Sequence, residues 1–485
     1  MGLNKTRLLF IIILVEGYVV LASELLAIRQ LVPFVGSGTE VVSIVISAIL
    51  LPLAIGYHVG GRSFKRAYAR ARIHRHHQMS VRKLLLRNIV TTLFILSLGL
   101  SYIFMEIFFG VLSALHIHNR LAQTSLYASL FLVTPIFLLG QTVPLVSNYF
   151  SRTKLSEITG TMLFFSTAGS FLGSVFSTIV LMTSIGVHNT VIVTMGLLCV
   201  LIALLVRRWI AYEIWATIFV LGVVYLLNGT PAMQSLRIVS DNAYNTARIN
   251  TNKDLGMTTL ELNRSISSGI DRSGNNPFAY SKFFEDNLIK PLSIGGFPRD
   301  ILVLGAGGFS AGTHDRMNHY TFVDIDKALK DIVEQHFIKQ TLPPNKTFIA
   351  ASARAFVKSD KNKYDLIFID TYTNVISIPM ETTTREFLID CKALLKPGGI
   401  LAANIIMTPD FRDKFSVRYD NTFASVFPNY SRQIVSDFSP WEDTNDHPKM
   451  RAHQRNIMYM YFDRPNVGDD TIYTDDKNTY SLDRD

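Results

Sequence analysis

Not one aspartate occurs between Met1 and Gly229. Over that stretch the chain carries 17 Lys and Arg against 6 Glu, whereas the remainder carries 30 against 32 acids. The overall charge of +9 therefore arises in the acid-poor half. It sits in loops between apolar runs, which excludes a basic nucleic-acid-binding face as its explanation. Cysteine is scarcer still. Cys199 lies in an apolar run and Cys391 in the second half. Two cysteines exclude a disulfide framework and a cysteine-rich metal centre, and they leave the redox compartment open.

What the first half has in excess is apolar length. The chain is 48% hydrophobic, which is high for a water-soluble protein. Runs of about 20 residues, the length that crosses a ~30 Å hydrocarbon core, recur at 8–28, 40–60, 88–115, 122–150, 160–184, 189–206 and 210–228. They predict a multi-pass bundle of about seven helices. The first run is long, lacks a small-residue cleavage site and leads into further spans, so it reads as a membrane helix and not as a signal peptide.

The cations fall on alternate loops. "GRSFKRAYARARIHRHHQMSVRKLLLR" holds nine, and Lys5, Arg7, Arg152, Lys154, Arg207 and Arg208 mark the same side, making 15. Arg29 and Arg120 fall at the other ends. The positive-inside rule places the N-terminus in the cytoplasm, and seven crossings put everything after residue 229 outside. If the run 210–228 is interfacial or re-entrant, the C-terminal part returns to the cytoplasm.

Ionisable residues within the runs are costly in lipid and mark a site or an internal pair. Glu16, Glu24 and Glu106 are such residues, and a Glu24–Arg29 pair near the membrane edge is the simplest expectation. Gly169 and Gly173 in "STAGSFLGS" form a GxxxG pair, read as a close helix contact in preference to a ligand site. His74, His76 and His77 read as part of a solvated polar loop in preference to a metal site.

From Ser235 the pattern changes. "LRIVSDNAYNTARINTNKDLGMTTLELNRSISSGID" has short β-type runs broken by Asn, Asp and Gly, predicting a small antiparallel sheet. "PFAYSKFFEDNLIKPL" predicts a helix. Strands at "DILVLGAG", "YTFVDID", "KTFIAAS", "YDLIFID" and "GGILAANI" then alternate with helices, of which "ALKDIVEQHF" and "TTREFLIDCKALL" are the clearest. Such alternation predicts a parallel, doubly wound α/β sheet. "NYSRQIVSDF" and "RNIMYMYF" read as added strands. The expected division is a helical domain at 1–229, a small sheet plus helix at 230–298, a Rossmann-like domain at 299–464 and a disordered acidic tail at 465–485.

The first parallel strand ends in Gly305-Ala306-Gly307-Gly308, where glycine permits a tight turn and close backbone approach to a ligand. The next strand ends in Asp324, nineteen residues after Gly305, where an acid would bind ribose hydroxyls. Ser310 stands where a strict GxGxxG has its last glycine. Nucleoside binding and a purely structural turn both remain open on these residues.

A resemblance adds to this reading. "SELLAIRQLVPFVGSGTEVVSIVISAILLPLAIGYHVGGR", "FLLGQTVPLVSNYF" and "GTMLFFSTAGSFLGSVFSTIVLMTSIG" resemble the helical part of bacterial membrane-bound spermidine synthase-like proteins. "KYDLIFIDTYTNVISIPMETTTREFLIDCKALLKPGGILAANI" resembles the aminopropyltransferase domain of the same family. The resemblance implies a class I methyltransferase-type Rossmann-like fold and a place in the bacterial inner membrane, with the C-terminal domain periplasmic by the charge count.

The resemblance also implies polyamine biosynthesis. Asp370 aligns with the acid that accepts a proton from the attacking amine while an aminopropyl group leaves a sulfonium. Gly305, Gly307, Asp324, Asp326, Ser352 and Ala353 would hold decarboxylated S-adenosylmethionine or a methylthioadenosine-like nucleoside. Tyr280 and Tyr372 would face an amine such as putrescine. No metal and no nucleic acid are implied. The expected partners are the lipid bilayer, a small-molecule amine, and a second copy or a membrane-complex subunit.

Several positions depart from the family's pattern. Gly308 stands in place of an acid that holds the aminopropyl amine, Ser267 in place of a Gln, and Ser281-Lys282 in place of His-Glu after Tyr280. Ser352 replaces the Asp of an adenine-contacting Asp-Ala, and Thr373 falls near a second acid of the catalytic loop. Two functions follow as expectations. One is an active aminopropyltransferase. The other is a catalytically divergent domain facing outward, in envelope assembly or as a complex subunit. Transport by the bundle, resting on the intramembrane Glu residues, is a weaker third.

Overall fold

The computed structural model describes residues 3–70, 74–150, 155–206, 212–375, 377–435 and 454–463. The tail expected at 465–485, Arg152, Lys154, Arg207 and Arg208, and the side chains of His74, His76 and His77 lie outside what is described.

The acid-poor half folds into helices because long apolar runs satisfy their backbone internally only in that form. Helix α1 (Leu3–Val35), α2 (Thr39–Arg70), α3 (His74–Gly99), α4 (Tyr102–Ala114), α5 (Arg120–Phe131), α6 (Val133–Gly140), α7 (Thr142–Ser147) and α8 (Leu155–Val175) come first. A π-helical stretch (Phe176–Leu181) leads into α9 (Met182–Ser184), then α10 (Gly186–Leu205), α11 (Tyr212–Asn228) and the short α12 (Thr230–Ser235). Among the described residues, five helices are long and apolar enough to cross a membrane, or up to seven if each of two bent pairs counts as one span.

The bend in each pair falls within one of the expected spans. The run 88–115 breaks by 66° between α3 and α4, where Ser101 caps a new helix by accepting from the Phe104 N–H. The run 122–150 bends by 41° between α5 and α6. Pro135, near the start of α6, has no N–H to continue the preceding helix.

Helix α1 is the central post. Gly17 lies on the backbone of Ser166, Gly169 on that of Leu14 and Gly173 on that of Tyr18, so tightly that a Cβ at any of the three would strike a carbonyl. The GxxxG pair is thus a backbone-to-backbone seam between α8 and α1.

After α12 the chain builds a four-stranded antiparallel sheet, β1 (Ile238–Asp241), β2 (Thr246–Asn252), β3 (Met257–Leu262) and β4 (Ser265–Ile270), in the order β1-β2-β3-β4. Helix α13 (Ala279–Phe284), a π turn (Glu285–Ile289) and α14 (Lys290–Ser293) follow. The second sheet contains β5 (Asp300–Leu304), β6 (His319–Asp324), β7 (Lys346–Ala350), β8 (Tyr364–Ile369), β9 (Leu395–Met407), β10 (Ser431–Ile434) and β11 (Arg455–Phe462). Its helices are α15 (Leu329–Ile332), continued by a π turn, α16 (Ala353–Ser359), α17 (Arg385–Ala393) and α18 (Lys414–Ala424).

The sheet order is β10-β11-β9-β8-β5-β6-β7. Strands β5 to β9 pair in parallel, and β11 runs antiparallel between β9 and β10. Crossovers in both directions from β5 bury both sheet faces, which is why these strands read as unbroken apolar runs. One face packs Phe387, Leu388, Tyr419 and Phe423, and the other packs Phe284, Leu288, Val333 and Phe337. Strand order reverses at β5, whose neighbours β8 and β6 come later in the chain. Open α/β sheets bind ligands at such a switch point, beyond the C-terminal strand ends.

The small sheet seats this domain on the bundle. Arg29 of α1 donates to the Asn242 carbonyl (2.8 Å) and to Thr246 Oγ1 (3.2 Å), and lies 3.7 Å from Asp241. Asp241, fully buried, also accepts from the Tyr102 hydroxyl (2.7 Å) and the His188 N–H (3.2 Å). Arg29 is therefore not the partner of Glu24, as its position in the sequence suggested. A partner on the folded domain is closer and better buried. Glu106 accepts from both Arg248 and Arg264, and the Arg264 guanidinium lies 4.9 Å over the Phe34 ring.

Candidate active site

The site forms where the sheet order reverses, from residues that the strand ends bring together. Strand β5 stops at Leu304, and Gly305 takes φ +94° as the chain turns away. A Cβ at Gly305 would run into the Asp370 carbonyl, so only glycine lets the turn lie against the end of β8. Asp324, at the end of β6, closes the turn from the other side. Its Oδ2 accepts from the Ala306 N–H (3.2 Å) and its Oδ1 from the Asp326 N–H (3.0 Å).

A carboxylate has about four acceptor positions, so these bonds leave Asp324 with acceptor capacity to spare. Burial raises its carboxyl to about 6, against the pull of those backbone donors. Beside it the apolar side chain of Ile325 is 49% exposed. Ser352 caps α16, accepting from the Ala355 N–H, and Ala353 is the first residue of that helix, shortly after β7.

Asp326 has a different job from the one the sequence suggested. It is 1% exposed, and its carboxylate accepts from Asn242 Nδ2 (3.0 Å to each oxygen), from Asn245 Nδ2 (3.1 Å) and from the Ala328 N–H (3.0 Å). It fastens the β1–β2 turn to the large sheet. One side of a half-open cleft of about 250 Å³ is formed there, between the domain and the bundle residues Met182, Ile185 and His188. That cleft lies apart from Asp370, which does not line it.

Asp370 follows β8, the strand beside β5. Its N–H donates to the Leu304 carbonyl (2.8 Å), and its Oδ1 accepts from Asn404 Nδ2 (3.1 Å) on β9. Desolvation raises this carboxyl to about 7, and the Asn404 hydrogen bond holds it below where burial alone would put it. A carboxyl so poised exchanges a proton near neutral pH, as a general base must.

Tyr280 donates its hydroxyl to the Ser267 carbonyl (3.0 Å), and its phenol is pushed well up by burial and by the charge of Asp370. Tyr372 is tied to β9: its hydroxyl donates to the Asn404 carbonyl (3.1 Å) and accepts from the Ile406 N–H (2.8 Å). That side chain fixes the loop after Asp370 against the sheet.

The departures at Gly308 and Ser267 are now spatial facts. Gly308 donates its N–H to Ser268 Oγ (2.9 Å), and a Cβ there would lie 2.6 Å from Phe337 Cε1 and from Ser268 Cβ. The space that an acid's side chain would need is filled. Ser267 borders the neighbouring turn, its Oγ 2.9 Å from where a Cβ on Gly307 would stand.

Sequence reasoning missed Asn404. Its signal was one polar residue inside the otherwise apolar strand "ILAANIIM", and a buried polar side chain in a central strand calls for a partner. Asn263 was missed as well, because its contacts join distant turns. Among the described residues no group of three or more His, Cys, Asp or Glu side chains forms a metal-binding cluster.

This arrangement defines a doubly wound, Rossmann-like α/β fold with a carboxylate beside its switch point. Residues 281–436 match the spermine/spermidine synthase domain. The chain is 26% identical over 202 residues to a probable polyamine aminopropyl transferase of Bifidobacterium longum, covering 40% of this chain and 43% of that one. It is 33% identical over 138 residues to the polyamine aminopropyltransferase of Vibrio vulnificus, covering 27% and 45%. The match thus spans less than half the length of these curated relatives. Among solved structures, the spermidine synthase of Thermotoga maritima aligns at 17% identity and a TM-score of 0.36, over 47% of this chain and 73% of that one. The C-terminal half of the chain carries a spermine/spermidine synthase domain, and its relatives include proteins named polyamine aminopropyltransferases.

Proposed function

We propose that this protein is a membrane-bound aminopropyltransferase that moves the aminopropyl group of decarboxylated S-adenosylmethionine to an amine such as putrescine. The observation that carries the reading is Asp370, at the end of β8, against the Gly305 turn, with its carboxyl raised to about 7. In the step, the acceptor nitrogen's lone pair forms a bond to the terminal carbon of the aminopropyl chain. The carbon–sulfur bond breaks, its electrons return to sulfur, and methylthioadenosine leaves as a neutral thioether. The proton lost by the nitrogen passes to Asp370. An ammonium has no lone pair, so a nearby base decides whether the amine can attack.

The nucleoside would sit with its ribose on Asp324, its base along Ile325 and the Ser352-Ala353 corner, and its sulfur near the Gly305 turn. Supporting the placement outside the cytoplasm, the domain docks on α1 through Arg29, near the helix's C-terminal end, while Lys5 and Arg7 lie in the first turns of the same helix. A reporter enzyme fused after residue 464, active only outside the cytoplasm, tests that placement.

A second reading rests on Gly308. With its side-chain space filled by Ser268 and Phe337, the cationic end of the aminopropyl chain meets no acid there. A buried cation without its carboxylate is penalised by several kcal/mol, which favours a domain that keeps the nucleoside and has lost the transfer. Calorimetry with methylthioadenosine and with decarboxylated S-adenosylmethionine separates the two. Comparable affinity for both, with turnover abolished by Asp370→Asn, supports the enzyme. Methylthioadenosine binding alone supports the divergent domain, and binding of neither overturns both.

A further inference from the structure

We propose that the turn between α1 and α2 is part of the active site, because it positions the loop that follows Asp370; this rests on the site reading above. The loop lies between β8 and α17, and its residues just after Asp370 are tied down in sequence order. Tyr372 is held by β9, as described. The Thr373 carbonyl accepts from Asn263 Nδ2 (3.0 Å). Asn374 then reaches across to the bundle, its Nδ2 donating to the Val32 carbonyl (3.3 Å) at the end of α1. Thr373 Oγ1 lies 3.5 Å from the Ser37 hydroxyl.

The bundle side is shaped to receive the loop. Gly36 has φ +82°, and a Cβ there would lie 2.6 Å from Ser377 Oγ and 3.4 Å from Asn374 Nδ2. The same loop turns on itself through the Thr373 N–H to the Ser377 carbonyl (2.8 Å) and the Ser377 N–H to Asn374 Oδ1 (2.9 Å). Asn374 is 7% exposed, so its bond to Val32 is made out of water and is costly to leave unmade.

Four residues of extended chain span at most about 14 Å. A shift of the Val32–Ser37 turn therefore reaches Asp370 through a short, braced segment. Asn263 adds a second brace, since its neighbour Arg264 is the residue that pairs with Glu106 of the bundle. The bundle thereby holds the geometry of a reaction whose atoms it never touches. Val32, Gly36, Ser37 and Asn374 are positioning residues.

Asn374→Asp keeps an acceptor for the Ser377 N–H and replaces the donor to Val32 with a carboxylate oxygen that repels the carbonyl. Gly36→Ala perturbs the same contact from the bundle side. Both are measured on the full-length protein in nanodiscs. Amide hydrogen exchange over residues 371–384 is expected to rise about fivefold, the loss of one buried hydrogen bond, with β5 and β8 unchanged. Where the wild type turns over, kcat should fall while methylthioadenosine affinity stays within about threefold, and the pH limb set by Asp370 should move. Unchanged exchange over 371–384 in both variants overturns the proposal. If the wild type shows no turnover, the functional reading fails, and the exchange result still decides the loop assignment.

Discussion

Asn404 of β9 donates its Nδ2 hydrogen to Oδ1 of Asp370, the residue that follows the adjacent strand β8, at 3.1 Å. The bond stabilises the ionised acid, while burial opposes ionisation and wins, leaving the carboxyl near 7. Replacing Asn404 by Leu removes the stabilising contribution. The acid limb of the kcat–pH profile, which rises through about pH 7 as Asp370 loses its proton, should then move to higher pH, and a limb that stays in place would separate Asp370 from the profile.

Asp370 also ties stability to pH. Its folded value lies above the ordinary 3.8 of an unfolded aspartate. The folded state therefore binds the proton more tightly, and this group's contribution falls as pH rises from about 4 through about 7. Asp370→Asn removes that loss. The variant should melt a few degrees above wild type at pH 8 and close to it at pH 4, as scanning calorimetry can show.

Glu106 faces two arginines of the domain. Glu106→Ala takes from Arg248 and Arg264 the carboxylate they share, while Arg248 keeps Glu261 at 3.8 Å, a loss on the order of 2–3 kcal/mol. The expected outcome is faster protease cleavage around residues 230–275 with the large sheet still protected. Uniform resistance would show that the pair contributes little to docking.

Gly169→Leu should be the most damaging of these changes, because the added side chain meets the backbone of α1 and no side chain can swing aside. Loss of most monodisperse protein on detergent extraction is expected, against near-normal behaviour for Gly196→Leu, where a Cβ meets nothing within 4 Å. The comparison uses size-exclusion profiles at matched expression.

Much of this was legible in residue order. The apolar runs located the helices, strand–helix alternation gave the doubly wound sheet, and "GAGG" with Asp324 marked the switch point. What escaped was whatever depends on chain segments far apart in sequence. Arg29 looked nearest to Glu24, yet its partner Asp241 lies more than two hundred residues away. Asp326 reads like Asp324 in "VDID", and only the fold shows that Asn242 and Asn245 occupy it. The breaks after Gly99 and Phe131 were blurred by uninterrupted hydropathy, although Ser101 and Pro135 carried the local signals.

The seam pairs a bundle cation with a domain acid at Arg29–Asp241, and a bundle acid with domain cations at Glu106. During synthesis the bundle is made first. Arg29 and Glu106 must then wait at its surface until the chain just beyond Asn228 delivers Asp241, Arg248 and Arg264. The small sheet is thus the first part to emerge after the last helix, and it carries the charges that complete the bundle. Order of birth and order of docking coincide, so the large-sheet domain folds onto a seat already fixed.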